Sequence, residues 1–373
     1  MSSAFGKNIR ISIFGQSHSP AIGTVIDGLP SGKRIDLERL GKFMARRAPG
    51  QNEYSTPRRE ADVPEILSGI KNGFLCGAPL AAVIRNTDTD PSAYADTTDR
   101  PRPGHADFTA RMKHREAHDF SGGGHFSGRL TASLCIAGGI IIQLLGQEGI
   151  DVGAHISEIA GVLDEPFDPV LVSARDLERV RNGPFPVMDS GTGDLMKAAI
   201  MTAGQAGDSV GGVVECAVLG LPAGVGEPMF EGLENMIAAV LFAVPAIKGV
   251  EFGSGFAGSR STGSRNNDPF ICGGGKITTR TNNHGGILGG ISSGMPIVFR
   301  AAIKPTPSIS MEQDTVSFSK MENVRLSTQG RTGTDGRGKG GHITEAQVHA
   351  LAGHRVDRVR GVAHQSQPRR NHS

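Results

Sequence analysis

SGGGHFSGRLTASLCIAGGIIIQLL, residues 121–145, carries a glycine run straight into the most apolar stretch of the chain. From His125 to Leu145 a helix would be apolar on most of its surface, and such a helix belongs in the middle of a molecule. Its most apolar part, 134–145, falls short of the roughly 18 residues a membrane span needs and includes Gln143. A central helix must be covered, and the flanking sequence supplies the cover.

Residues 8–29 read as two strands around a polar turn from Gly15 to Ser19. Residues 36–48 read as a helix, with Leu37, Leu40, Phe43 and Met44 at helical spacing, Asp36 as N-cap, and Arg46 and Arg47 at its negative end. A polar loop is expected over 49–59, and strands over 65–68 and 81–85 around a turn at Asn72 and Gly73. Residues 88–109 form an irregular stretch, and a loop that long in a compact domain tends to be functional. Farther on, 213–219, 250–256 and 296–303 read as strands and 230–242 as a helix. No regular βαβ rhythm runs through this order, so the fold class expected is α+β in layers. No linker interrupts 1–331, which predicts a single large domain.

Composition narrows the function. The chain has 39 Lys and Arg against 37 Asp and Glu, a net +2. Seven basic and three acidic residues lie in 332–373, giving that segment +4 and the remainder 32 against 34, or −2. A nucleic-acid face on the body is therefore not expected. Cys76, Cys135, Cys216 and Cys272 lie far apart, without CxxC or zinc spacing, which predicts reduced thiols, a cytoplasmic setting and no metal site. His114 and His118 have the spacing of a zinc pair but lack a third ligand, so a solvated helix face is expected. GSGFAG (253–258) fits G-x-G-x-x-G, yet a polar, proline-ended run follows it, which argues against a dinucleotide site. GTDGRGKG (333–340) lacks the Ser or Thr a P-loop needs for magnesium.

Four clusters point to chemistry. GQSHS sets His18 on a turn between strands. RPGHAD (102–107) puts His105 in a proline-bounded loop beside Arg102 and Asp107. SGGGHFSGR brings free backbone N–H groups to a helix start, with Arg129 one turn in, and such a start favours an anion. KPTPSIS (304–310) supplies a cation and hydroxyls after a strand. Two imidazoles, several arginines and an anion-favouring helix start together suggest a pocket for a multiply charged small molecule such as a phosphorylated one.

In combination and order, FGQSHS, RRAPGQNEYSTPRREAD, RPGHAD, SGGGHFSGR, AIKGVEFGSGF, NNHGGILGGISSGMPI and KPTPSI resemble the chorismate synthase family, over about residues 5–331. The resemblance implies a β-α-β-α sandwich and a lyase that removes phosphate from 5-enolpyruvylshikimate 3-phosphate by 1,4-anti elimination, giving chorismate. It implies reduced FMN as cofactor, with NADPH as an indirect reductant through an external flavin reductase. It also implies a homotetramer, and neither nucleic acid nor membrane as partner. By the same resemblance His18 matches the histidine that protonates the leaving phosphate and His105 the one that protonates the flavin. Arg47 and Arg129 match substrate-binding arginines. His125, Phe126, Ser127, Ala246, Gly289, Lys304, Pro305, Thr306, Pro307, Ser308 and Arg331 match flavin-contacting positions.

The chain departs from the family at two places. Gln16 and Ser19 stand where the first motif commonly has Glu and Gly. After Arg331 the family's His-Asp-Pro-Cys is missing; Gly333 aligns with its aspartate and Asp335 falls two positions late. The change is abrupt, as a reading-frame shift would make it, with a natural divergent tail as the other account. A basic, poorly ordered segment is expected over 332–373. An impaired, flavin-binding relative is the alternative function this ending implies.

Overall fold

The computed structural model describes residues 3–48, 60–87, 98–119 and 121–327. Arg331 and the expected basic segment at 332–373 lie outside these residues, as do the loop expected at 49–59 and residues 88–97 of the irregular stretch expected at 88–109.

Two antiparallel five-stranded sheets enclose the central helix. The first contains β1 (Ala4–Phe5), β2 (Arg10–Gly15), β3 (Ala21–Asp27), β4 (Glu65–Ser68) and β5 (Leu80–Arg85), in the order β1-β2-β3-β5-β4. The second contains β6 (Asp151–Ile159), β7 (Val162–Leu163), β8 (Gly212–Leu219), β9 (Ile247–Phe252) and β10 (Ile297–Ile303), in the order β9-β10-β8-β6-β7. Every pairing is antiparallel, which excludes the parallel βαβ frame of a dinucleotide-binding fold.

Between the sheets lie α1 (Leu37–Arg47) and α3 (Thr131–Gln147), with α2 (Asp107–His114) introduced by the RPGHAD loop. Ile136 and Ile140 of α3 share one core with Ile22, Ile26 and Ile84 of the first sheet and Ile156, Val214 and Phe299 of the second. Gly139 lets α1 approach, since a Cβ there would lie 2.7 Å from Leu40 Cδ1 and 2.9 Å from Phe43 Cδ1. Gln143, the polar residue in this apolar helix, accepts from Asp36 N–H and donates to Asp36 C=O, tying α3 to the capped start of α1.

The second sheet is buried on its other face as well. Ala217 and Val298 pack with Phe167, Val172, Leu177 and Val180, the last two from α4 (Ala174–Asn182). Two further helices, α5 (Ser190–Gln205) and α6 (Leu233–Leu241), contribute Met196, Ile200, Leu233 and Ile237 to the inter-sheet core. The result is the expected α+β sandwich.

Four local expectations need correction. Helix α3 begins at Thr131 rather than at His125, because Gly122, Gly123 and Gly124 all take positive φ and form a tight turn that cannot be α-helical. Arg129 therefore precedes α3, within a 3-10 turn at Gly128–Leu130. Together, that turn and α3 make a continuous apolar helical stretch, Gly128–Gln147, long enough to cross a bilayer, but most of it is buried inside the protein. The strand expected at 250–256 ends at Phe252, and Gly255–Gly258 is one helical turn. Finally, α2 ends at His114, where Arg115 takes φ +53°, so His118 shares no helix face with it.

Candidate active site

The turn between β2 and β3 presents His18 to the three-glycine run. A Cβ on Gly122 would lie 2.4 Å from His18 Nε2 and 3.0 Å from Ser17 Oγ, and Ser17 N–H donates to Gly124 C=O at 3.0 Å. The imidazole thus lies against bare backbone that only glycine can offer. The next glycine faces the other histidine loop, since a Cβ on Gly123 would come within 4.0 Å of Arg102 Nη2 and 3.9 Å of Ser127 Cβ. One glycine run therefore brings the GQSHS turn and the RPGHAD loop together.

In that loop Arg102 forms a bidentate pair with Asp107, Nε and Nη2 each 2.8 Å from a carboxylate oxygen, both residues being buried. Burial favours the neutral acid, but the guanidinium holds the Asp107 carboxyl below its usual range. His105 Nε2 lies 2.9 Å from Ser308 Oγ of the KPTPSI segment. Burial, with Arg102 next in weight, lowers His105 to about 4, so its imidazole is neutral at neutral pH. The near-neutral value expected of a general acid is not what this environment gives the free protein.

Lys304 closes the same corner. Its Nζ donates to Gly104 C=O at 2.6 Å, and its N–H donates to Ala246 C=O at 3.0 Å. Burial and then Lys248 lower the ammonium from its usual range. Ala246 takes φ +75°, a left-handed conformation that costs a residue with a Cβ and clusters at functional sites. Pro307 packs against Gly104, where a Cβ would lie 2.8 Å from its own.

Arg47 and Arg129, placed by α1 and by the turn before α3, converge on Asp62. Arg47 Nη1 donates to Asp62 Oδ2 and Arg129 Nη1 to Asp62 Oδ1, all three side chains being buried. Arg129 Nε also donates to Asn86 Oδ1 at 3.1 Å, and Arg47 Nη2 to Thr131 Oγ1 at 3.2 Å.

The remaining expected residues divide. Ser127 caps the 3-10 turn that carries Arg129, its Oγ accepting the Arg129 N–H. Thr306 C=O accepts from Ser209 Oγ at 2.7 Å, and Pro305 packs at Gly211. His125 has both ring nitrogens engaged, Nδ1 with Gly15 C=O and Nε2 with Ser3 Oγ, each at 2.8 Å, so it ties the N-terminal strands to the glycine turn. Phe126 sits edge-on to His118, with His114 beside them, in a small aromatic cluster. Gly289 lies in the turn between two short strands, Ile287–Leu288 and Ile291–Ser292, whose Gly290 packs on Glu227 and Gly232 before α6.

Sequence reasoning missed three groupings. Glu60 and Asp62 lie inside a quoted motif but were assigned no role; two acids closing an arginine-rich segment were the available signal. His155, fully buried on β6, lies 3.0 Å from both Asp164 Oδ2 and Glu215 Oε2. Asp268, His284 and Ser293 form a chain in which His284 Nδ1 bonds the carboxylate and Nε2 lies 3.1 Å from Ser293 Oγ. That chain ties Asp268, ahead of the NNHGGILGGISSGMPI region, to two positions within it.

Comparison with known proteins shows the family. The family model described as Chorismate synthase matches residues 9–351, continuing past Arg331. Chorismate synthase of Korarchaeum cryptofilum is 45% identical over 327 residues, which is 88% of this chain and 90% of that protein. Chorismate synthases of Dehalococcoides mccartyi and Thermococcus kodakarensis are each 45% identical, covering 90% and 87% of this chain and 91% and 89% of their own lengths. A crystal structure of chorismate synthase is 26% identical with a TM-score of 0.66, covering 80% of this chain and 84% of that one.

Proposed function

This chain belongs to the chorismate synthase family, and from that premise we propose how its own residues carry the reaction. The enzyme is a carbon–oxygen lyase acting on a phosphate-bearing substrate, 5-enolpyruvylshikimate 3-phosphate, to give chorismate and phosphate.

The observation that carries the residue assignment is the glycine run, with His18 against Gly122 and Arg102 beside Gly123. His18 is the group that gives a proton to the departing phosphate, which leaves more readily as its charge is neutralised. Arg47 and Arg129 orient the anionic substrate with guanidinium geometry suited to carboxylate and phosphate. Lys304 bonds a carbonyl, and no carboxylate among the described residues pairs with it. That charge and the hydroxyls of Ser308 and Ser127 suit an anionic aromatic cofactor.

Reduced FMN, when bound, supplies an electron-rich ring for C–O cleavage without net redox change. Lys304, Ser308 and the Ala246 turn would hold it, with His125, Phe126, Ser127, Gly289, Pro305, Thr306, Pro307 and Arg331 as the remaining contacts carried by resemblance. His105 is neutral in the free protein, and an arriving anion would offset the Arg102 and Lys304 charges that depress it. Binding would then raise its proton affinity and arm Nε2 to hold or release a proton.

We further propose a cytoplasmic homotetramer, supplied with reduced flavin by an external, NADPH-driven reductase. Residues 1–331 form the catalytic core, followed by a divergent segment at 332–373.

The test is anaerobic incubation with 5-enolpyruvylshikimate 3-phosphate and dithionite-reduced FMN. Equal release of phosphate and chorismate is expected. FMN binding without phosphate release would replace this reading with the impaired relative, and absence of both would overturn the site assignment.

A further inference from the structure

Asp62 stands between two buried cations. It lies in the segment entering β4 and is 2% exposed, with φ +52°, a left-handed conformation that non-glycine residues rarely take. Its two oxygens serve different guanidiniums, Arg47 from the end of α1 and Arg129 from the turn before α3. Glu60 stands 3.9 Å from Arg129 Nη2 and accepts both the N–H and the hydroxyl of Thr87, at 3.1 and 2.8 Å. Two cations thus face two carboxylates, but the hydrogen bonding is incomplete. Among the described residues Arg47 Nε and Arg129 Nη2 are buried donors without a hydrogen-bond acceptor, and buried N–H groups left in that state cost free energy. Unused donors on two guanidiniums already fixed in place form a ready seat for an oxyanion.

We propose that Asp62 is a positioning residue, which holds Arg47 and Arg129 as one two-guanidinium unit and whose negative charge limits how tightly that unit takes an oxyanion. The proposal deepens the reading given above, on which the identity of the natural anion rests. Its two consequences have opposite signs. Removing the charge strengthens the pull on any phosphate, while removing the carboxylate frees the guanidiniums to reorient, and turnover depends on their placement.

The experiment compares the full-length protein with Asp62→Asn and Asp62→Glu. Inorganic phosphate is titrated by calorimetry and by its shift of the melting temperature, and kcat and KM are measured anaerobically. For Asp62→Asn we expect phosphate to bind about tenfold more tightly, one decade of binding constant being a modest electrostatic change, and kcat to fall at least tenfold with KM no higher. A purely structural role would lower the melting temperature and leave phosphate affinity, kcat and KM of the folded protein unchanged; that result overturns the proposal. Should Asp62→Asn fail to fold, Asp62→Glu decides. It keeps the charge and moves the carboxylate, so phosphate affinity should stay within about twofold while kcat falls. Unchanged kcat in Asp62→Glu would overturn the positioning role. Because phosphate binding needs no turnover, an inactive wild-type protein would refute the lyase reading and still leave the Asp62 affinity test standing.

Discussion

His155 and His105 are the same side chain in two settings that drive it in opposite directions. His155 is fully buried on the second sheet, and burial alone would strip its proton, but Asp164 and Glu215 hold one ring nitrogen each and keep it above its usual value. Asp164 also accepts the N–H groups of Met188 and Asp189, and Glu215 that of Phe167, so the imidazole joins β6 and β8 to the 164–189 segment. His105 faces a neutral hydroxyl, and burial first, then Arg102 and, more weakly, Lys304 against the opposing pull of Asp107, bring it down to about 4. Two hydrogen-bonded carboxylates therefore offset burial at His155, whereas at His105 burial and the Arg102 cation act in the same direction. One environment fixes the ring in place and raises its proton affinity, and the other leaves a neutral ring whose proton affinity a ligand can change.

The largest way to break this comparison is His105→Ala. It should lower kcat by roughly 10²–10⁴-fold, the range for a general acid–base group, while stability falls only by about the 0.5–1.5 kcal/mol of one neutral hydrogen bond. A loss of stability without loss of rate would put His105 in the structural class instead. His155→Ala should do the reverse. It strands two buried carboxylates, a loss of about 3–5 kcal/mol by analogy with broken buried pairs, read by urea unfolding, with activity per folded molecule near wild type.

Gly122→Ala sharpens the comparison at the surface the two histidine loops share. A Cβ would meet His18 Nε2 at 2.4 Å on backbone at φ +61°, so we expect about 1–3 kcal/mol of destabilisation together with slowed phosphate release. Activity at the wild-type level would mean His18 does not need its place against the glycine.

The pH dependence separates the two rings by sign. His105 takes a proton near 6.5 when unfolded but only near 4 when folded. Acidification through that window favours the unfolded chain, by about 1–3 kcal/mol at its lower end, and His105→Ala should remove that part of the acid limb. His155, raised on folding, contributes stability that is fully present below its unfolded value and lost as pH rises through its folded value. The smallest effect expected is from Ser308→Ala, which removes one neutral hydrogen bond to His105, about 0.5–1.5 kcal/mol, seen as a few-fold change in kcat.

Much of this architecture could be read from residue patterns. The apolar run through 131–145 announced a buried helix, and the alternation around Gly15–Ser19 placed His18 on its turn. The Asp36 cap was legible because capping is local. The start of α3 was not, since Gly122, Gly123 and Gly124 reveal nothing in sequence about the sign of φ. Asp62 and Arg129 are 67 residues apart, so their pairing depends on the packing of α1, α3 and β4. His155 sits in DVGAHISEI, where a lone imidazole in a strand looks like any half-exposed residue; its carboxylates arrive from 9 and 60 positions away. The roles of His18 and His105 came from family resemblance, while the neutrality of His105 came from its three-dimensional neighbours.

The most direct measurement is a histidine-selective NMR titration of the free protein, with His105→Gln and His155→Gln assigning the two resonances. The account predicts that the His105 ring stays neutral as pH falls until about 4, while the His155 ring remains protonated at pH values above its ordinary range. A His105 titrating at 6.5 or higher in the free protein, or a His155 that is neutral at pH 6, would contradict it.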